Sequence, residues 1–307
     1  MASYVQKNKL LKRVRRDKYL LVMLALPVLF FLIFSYIPML GLLIGFQDFK
    51  MGAGFFGSPF VGLKWFREFW GSVYFLRLIG NTFLLSFYSL IFTFPVPIIF
   101  ALLLNEIPVG WFKRTVQTVS YLPHFISVVV VGGLLFSILS PNDGIVNHLI
   151  QAMGGERINF LAKPEWFRPL YILSGLWQEF GWSSIIYLAA LSGVDSQLYE
   201  AAVMDGAGRM RQTWHITLPG IRPTILMLLI LSVGSMFNVG YEKIILMYSS
   251  ATYSTADVFS TYLYRTGVVN GRYSLGVAAG LFNSVISFAL LWSANYASRK
   301  MSEVSMW

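Results

Sequence analysis

The 307-residue sequence contains no cysteine and only three histidines, His124, His148 and His215. A chain without cysteine forms no disulfide, performs no thiol chemistry and holds no cysteine-ligated metal. So few histidines also argue against a histidine-rich metal site. We therefore predict that the chain binds no metal and no cofactor of its own.

Charged residues are scarce as well, at 12% of the chain, with 14 acidic side chains against 24 lysines and arginines. Soluble domains carry about twice this share of charge. Hydrophobic residues make up 56% and the mean hydropathy is +0.62, which indicates a polytopic membrane protein. Much of the net charge of +10 lies in the first eighteen residues. That position is typical of a cytoplasmic flank touching anionic membrane lipid, so we expect no nucleic-acid partner.

Catalytic motifs are missing too. The phosphate-binding pattern Gly-x4-Gly-Lys-Ser/Thr is absent, since Gly206-Ala207-Gly208 is not followed by lysine and a hydroxyl residue. There is no convincing Ser/His/Asp arrangement and no nucleophile elbow. We predict that the chain is not an enzyme and does not hydrolyse ATP.

Long apolar runs are what the sequence does contain. Each is near or above the roughly 20 residues that cross a bilayer as a helix. The first is too long for a signal-peptide core and has no evident cleavage site, so we expect it to be retained. The predicted fold is an all-α membrane protein with six transmembrane helices, at 19–46, 76–104, 118–140, 169–191, 221–247 and 273–297.

The distribution of lysine and arginine predicts the orientation. With both termini inside, the inner segments hold fourteen cations and the outer segments nine, mainly because of the N-terminal segment. We therefore predict a basic cytoplasmic segment at 1–18 and a single transmembrane domain at 19–307. The loop at 192–220 then lies in the cytoplasm.

This loop holds the longest polar break in the second half of the chain. Its spacing predicts a short helix, a turn at Gly206 and Gly208, a second short helix and a stop at Pro219. A helical hairpin of this size cannot bury its own apolar side, so it requires a partner.

The loop resembles the EAA loop of ATP-binding-cassette (ABC) importer permeases. The matching positions are Glu200, Ala201, Ala202, Gly206, Ile216, Leu218 and Pro219. The added Met204-Asp205-Gly206-Ala207 resembles the sugar-importing branch. The alternative, an ordinary cytoplasmic loop, accounts for neither the spacing nor the surrounding topology.

The resemblance extends over nearly the whole chain and is strongest to the LplB-like branch of oligosaccharide and polysaccharide permeases. It implies a type I importer in a bacterial inner membrane. The implied partners are a second homologous permease, two ATPase subunits that hold ATP and Mg, and an extracytoplasmic solute-binding protein. The loop would act as the coupling helix, with Glu200 paired to a cation of the ATPase.

Candidate pathway residues lie in the fourth and fifth predicted spans. Glu179 is in mid-span, where a carboxylate costs about 2.5 to 3.5 kcal/mol, and it is either a sugar-hydroxyl acceptor or half of a structural pair with Arg, Lys or Tyr. Ser235, Asn238 and Tyr241 suit a sugar or ordinary helix–helix hydrogen bonds. Glu242 serves the pathway or pairs with Lys243 at the interface.

The resemblance narrows this choice, because sugar contacts in maltose-type permeases lie on the spans before and after the EAA loop. Glu179, Trp182, Ser235 and Asn238 fall at or near such positions, although Glu179 replaces an expected small residue. The sugar's charge stays open, since Lys243 favours a uronic acid and Glu179 opposes one.

The sequence leaves open two rival functions and the packing role of one glycine motif. A proton-coupled secondary transporter would use Glu179 or Glu242, and an ABC importer could carry a non-sugar solute. Gly276 and Gly280 form a close-packing motif that fits either a dimer seam or contacts within the chain.

Overall fold

The computed structural model describes residues 16–302, so most of the predicted basic segment lies outside the described residues. Within them the chain is almost entirely helical, and the only strand pairing is an isolated bridge between Gln47 and Phe60. The helices are α1 Lys18–Phe46, α2 Gly54–Gly57, α3 Lys64–Trp70, α4 Phe75–Glu106, α5 Trp111–Phe125, α6 Val128–Leu139, α7 Ile145–Ala152, α8 Pro164–Leu191, α9 Ser196–Met204, α10 Arg209–Gly234, α11 Tyr241–Met247, α12 Tyr253–Ala256, α13 Phe259–Leu263 and α14 Tyr273–Ser302.

Four of the described helices, α1, α4, α10 and α14, are long and apolar enough to cross a membrane, and the bent pair α5–α6 would make a fifth. Helix α8 has 28 residues, which is sufficient length, but Gln178 and Glu179 interrupt its apolar sequence. The six-span count and the cytoplasmic location of both termini stay predictions.

The third predicted span is not a straight helix. Helices α5 and α6 meet at an angle of 98°. Pro123 lies in the tight 3₁₀ turn that ends α5, and Ser127 begins α6 by accepting a hydrogen bond from the Val130 amide. A proline turn followed by a new helix cap redirects the chain, which hydropathy alone does not register.

The fifth predicted span also differs from the structure. Helix α10 begins at Arg209 and ends at Gly234, and residues 235–240 form a non-helical link before α11. A Cβ on Gly234 would press against the side chain of Leu291 of α14, so a larger residue where the helix stops would force that leucine to move.

Helix α8 lies at the centre of the molecule, where it contacts α4, α5, α10, α11 and α12. Three buried clusters hold the bundle together. One joins α3, α4, α13 and α14 around Phe69, and a second joins α4, α8 and α11 around Leu85 and Ile244. The third joins α4, α8 and α10 through Ala101, Tyr187 and Ile221.

A buried charge network fastens the segment between α11 and α14 to the bundle. The fully buried Asp257 accepts hydrogen bonds from both terminal nitrogens of Arg265, at 3.0 and 2.8 Å, and one from Arg77 at 3.3 Å. Burial lowers the pKa of Arg265, but the bonds with Asp257 outweigh that effect and hold it above its ordinary value. Removing one partner of such a buried pair leaves an uncompensated charge, so the network fixes this segment firmly.

The glycine motif of α14 packs inside the chain. A Cβ on Gly276 would lie 2.8 Å from the Cα of Gly267, and one on Gly280 would lie 2.9 Å from Leu263. Of the two readings of this motif, these contacts favour internal packing over a dimer seam.

Candidate transport pathway and coupling hairpin

The predicted helical hairpin is present, and its turn is well defined. Asp195 begins α9 by accepting a hydrogen bond from the Gln197 amide at 2.9 Å. At the other end the Ala207 amide bonds Ala202 O and the Gly206 amide bonds Val203 O. This is a Schellman motif, and Gly206 has the positive φ of 73° that such a motif requires.

Two side-chain contacts hold the hairpin together internally, and a third attaches it to the bundle. Tyr199 Oη lies 2.9 Å from Thr217 Oγ1 and joins the two helices, and Gln212 donates to Ala207 O at 2.8 Å. Arg209 pairs with Glu106 at the end of α4 at 3.0 Å. The hairpin is therefore attached to the bundle through Arg209.

The hairpin presents polar and apolar side chains together. Glu200, Ala201 and Asp205 are exposed, Ala202 is partly covered, and Met204 is 87% exposed. Ile216 and Leu218 are partly buried, while Pro219 is exposed. The hairpin also exposes four large apolar side chains, Val203, Met204, Met210 and Trp214. Such a surface is unusual for a free loop and is typical of a docking surface.

The predicted stop at Pro219 is wrong. Helix α10 passes through Pro219 without a break as far as Gly234. A π-helical turn at Thr213–Thr217 comes directly before it, and the Leu218 amide bonds Thr213 O, five residues back. The wider π turn accommodates the proline ring that an α-helical turn would exclude.

A cavity of about 700 Å³ lies between α4, α8, α10 and the link at 235–240. Small polar groups line it beside aromatic and aliphatic side chains, and none of the lining residues carries a formal charge at neutral pH. The polar and aromatic lining residues are Ser86, Ser89, Thr93, Phe94, Tyr171, Trp182, Ser183, Tyr187, Ser232, Ser235 and Asn238.

The predicted pathway residues divide into two groups. Trp182, Ser235 and Asn238 line the large cavity. Tyr241 and Glu242 do not, and line instead a shallow hollow of about 280 Å³ that shares Tyr171 and Gly240 with the cavity. Three of the six predicted pathway residues therefore line the cavity, and two line the adjoining hollow.

Glu179, the sixth residue, contacts a side chain that was not among its expected partners. Its Oε2 lies 3.0 Å from His124 Nδ1 in the bend between α5 and α6. The His124 ring in turn stacks on Trp182, with ring centroids 4.4 Å apart and planes within 2°. Glu179 therefore orients His124, which covers one face of the Trp182 indole.

The sequence alone does not place His124 in this site. The distance of 55 residues from Glu179 gives no clue to contact, and only the bend after Pro123 brings the ring to α8. Nor does it single out the cavity hydroxyls of α4, Ser86 and Thr93, because serine and threonine in an apolar helix usually bond its own carbonyls.

The hairpin and the cavity share two helices. Helix α8 contributes Trp182 to the cavity and leads into the hairpin, and α10 leads out of the hairpin and contributes Ser232. Between hairpin and cavity the two helices pack through Tyr187 and Ile221. The hairpin and two walls of the cavity are therefore parts of the same two packed helices.

A helical membrane bundle with an uncharged cavity of mixed polar and apolar lining, and an exposed hairpin joined to its walls, is typical of the class of membrane transport permeases. The chain belongs to the family of binding-protein-dependent transport system inner membrane components, which matches residues 94–303. It is thus a non-catalytic permease component.

Relatives of known name agree with this family. The chain is 46% identical over 290 residues to the protein LplB of Bacillus subtilis strain 168, covering 94% of this chain and 91% of the relative. It is 46% identical over 298 residues to a polygalacturonan/rhamnogalacturonan transport system permease protein, YteP, of the same organism, covering 97% and 93%.

Solved structures give the same result for the fold. A chain of a bacterial ABC transporter involved in the import of the acidic polysaccharide alginate superposes with a TM-score of 0.89 at 44% identity, covering 96% of this chain and 99% of that one. A second structure of a bacterial alginate ABC transporter, in complex with a periplasmic protein that holds an alginate pentasaccharide, superposes with a TM-score of 0.88.

Proposed function

We propose that this chain is one of two homologous permease subunits of an ATP-driven importer of oligosaccharides or polysaccharide fragments in a bacterial inner membrane. Two separate subunits bind ATP and Mg and hydrolyse the ATP. An extracytoplasmic binding protein delivers the sugar. The relatives named for polygalacturonan, rhamnogalacturonan and alginate support a saccharide over another class of solute.

The observation that carries this proposal is that the hairpin connects the two helices that line the cavity. An ATPase subunit that binds α9 would move the end of α8 and the start of α10 together. Since an α-helix rises about 1.5 Å per residue, the twenty residues from Arg209 to Leu228 carry that motion over roughly 30 Å to the cavity. Closure of the ATPase would thus open or close the walls around the sugar.

The lining of the cavity suits a sugar. Hydroxyl and amide groups exchange hydrogen bonds with sugar hydroxyls, and aromatic faces cover the apolar face of a pyranose ring. His124 covers one face of Trp182, so a sugar ring stacks on the other face or passes its edge. Ser235 and Asn238 lie on the opposite wall, in the link after α10.

The first helix supports a second permease as a partner. None of its most apolar window is buried within the described chain, and the contact of α1 with α14 is made near its C-terminal end, where Gly45 packs against Val277 and Leu281. Its remaining faces are available to lipid and to the second permease.

Coupling is tested by reversing one charge on the hairpin. We expect Glu200→Lys to abolish stimulation of ATPase activity by the sugar-loaded binding protein in the complete complex, while the permease pair still assembles. Loss of one partner of a buried charge pair costs about 2 to 5 kcal/mol, which weakens docking by roughly 30-fold or more.

The matched control is Arg299→Glu, which reverses an exposed charge near the end of α14 on the predicted cytoplasmic side. It is expected to keep full stimulation. Normal stimulation and uptake in the Glu200 variant would show that this residue has no part in coupling.

A further inference from the structure

Lys243 is a partly buried cation with no carboxylate partner in the part of the chain that the structure describes. Its Nζ donates to Tyr171 O at 3.1 Å and lies 4.9 Å from the centre of the Tyr171 ring. A Cβ on Gly175 would lie 3.3 Å from the same Nζ, so the ammonium group packs directly against α8. The predicted ion pair between Glu242 and Lys243 does not form.

The ammonium group lines a hollow that adjoins the cavity. Lys243 lines the 280 Å³ hollow with Tyr171 and Gly240, and those two residues also line the 700 Å³ cavity. An ammonium group has three donors, and Tyr171 O accepts from one of them. Two donors are thus free for a ligand at the junction of hollow and cavity.

Two acidic side chains lie near Lys243, and neither forms an ion pair with it in the described part of the chain. Glu179 attracts Lys243 electrostatically, but its carboxylate is hydrogen-bonded to His124. Glu242 lines the hollow and is exposed to solvent, where its charge is screened. Of the described residues that line the hollow or the cavity, Lys243 is the one lysine or arginine.

We propose that Lys243 binds a carboxylate of the substrate, so that the pathway accepts oligosaccharides containing uronic acid. The inference rests on the proposed function, which it makes more specific by naming the charge class of the sugar. The neutral cavity beyond Lys243 presents no carboxylate that would repel the acid. Glu179 lines neither the hollow nor the cavity, so its carboxylate does not face a substrate bound at Lys243.

The test uses the complete importer in proteoliposomes with its binding protein and two probes of equal length. One probe is an oligogalacturonate, and the other is its carboxyl-reduced form, in which each carboxylate has become a primary alcohol. Lys243→Gln removes the charge but keeps a donor for Tyr171 O, and Lys243→Arg keeps the charge. Lys50→Ala removes an exposed cation between α1 and α2 and serves as the control.

The expected result is a loss of uptake for the acidic probe and not for the reduced probe. Lys243→Gln should lower uptake of the oligogalacturonate about tenfold, since a charge-assisted hydrogen bond is lost, and leave uptake of the reduced probe within about twofold. Lys243→Arg and Lys50→Ala should transport both probes at rates near that of the wild type.

Other outcomes separate the two proposals. Equal loss of both probes in Lys243→Gln would show that Lys243 only supports the contact between α8 and α11, and no loss of either would remove it from the pathway. A wild-type importer that carries only the reduced probe would overturn the uronate inference alone. One that carries neither probe would overturn the proposed saccharide function itself.

Discussion

Gly181 lies where α8 crosses α5 with their backbones in close contact. A Cβ at this position would collide with the carbonyl of Ser120 in α5, and the next residue is Trp182 of the cavity wall. Glycine is therefore required here by the approach of a backbone, not by an unusual backbone conformation.

Gly181→Ala should lower the stability of the purified protein by about 1 to 3 kcal/mol, because the extra methyl group overpacks the crossing of α5 and α8. The measurement is the Tm in detergent, compared with Gly133→Ala. Gly133 is an exposed helical glycine whose Cβ would meet nothing within 4 Å. Alanine there should be neutral or stabilising by about 0.5 to 1 kcal/mol. Equal shifts in the two variants would show that the contact with Ser120 does not limit stability.

Residue chemistry predicted that Glu179 needs a partner but could not identify it. A carboxylate in an apolar helix is costly, so a partner follows from the residue type alone. The partner, His124, reaches Glu179 only because the chain bends after Pro123. Trp182, Ser235 and Asn238 line one cavity, and their role as sugar contacts stays a prediction.

At the scale of elements, the hairpin was predicted from its glycines, and its turn lies where they require it. The path of the chain beyond the hairpin was predicted less well. Pro219 does not end α10, since a π turn accommodates it, and hydropathy could not separate α10 from α11. An apolar run predicts burial in lipid or protein, but it does not predict where the helix changes direction.

At the scale of elements, the bent pair α5–α6 either crosses the membrane or enters and leaves it on the same side. Cysteine labelling distinguishes these two arrangements. The native chain has no cysteine, so single cysteines are placed at three well exposed sites: Val73 at 88%, Val109 at 84% and Met153 at 80% exposure. Reaction with a membrane-impermeant thiol reagent is compared in spheroplasts and inverted vesicles. We expect the cysteines at 73 and 153 to react from outside and the one at 109 from inside.

Val73 and Val109 flank α4 and therefore act as internal controls for the two sides of the membrane. If the cysteine at 153 reacts from the same side as the one at 109, then α5–α6 is a re-entrant pair. The prediction of six spans would then be wrong.

At the scale of the whole molecule, the described chain leaves several apolar and polar surfaces uncovered. The cavity has walls from α4, α8 and α10, the hairpin presents an exposed surface, and α1 has its apolar faces uncovered within the described chain. Composition predicted the membrane class because apolar surface on this scale is not stable in water. It could not predict which faces meet lipid and which meet other subunits, since both environments favour the same side chains.

The most direct test of the central claim is the energy source for uptake. Proteoliposomes carrying the complete importer receive binding protein and labelled oligosaccharide outside, with either ATP inside or an inward proton gradient without ATP. Our account predicts uptake that requires both ATP and the binding protein and is not driven by the gradient. Uptake driven by the proton gradient alone would contradict it and would favour a secondary transporter.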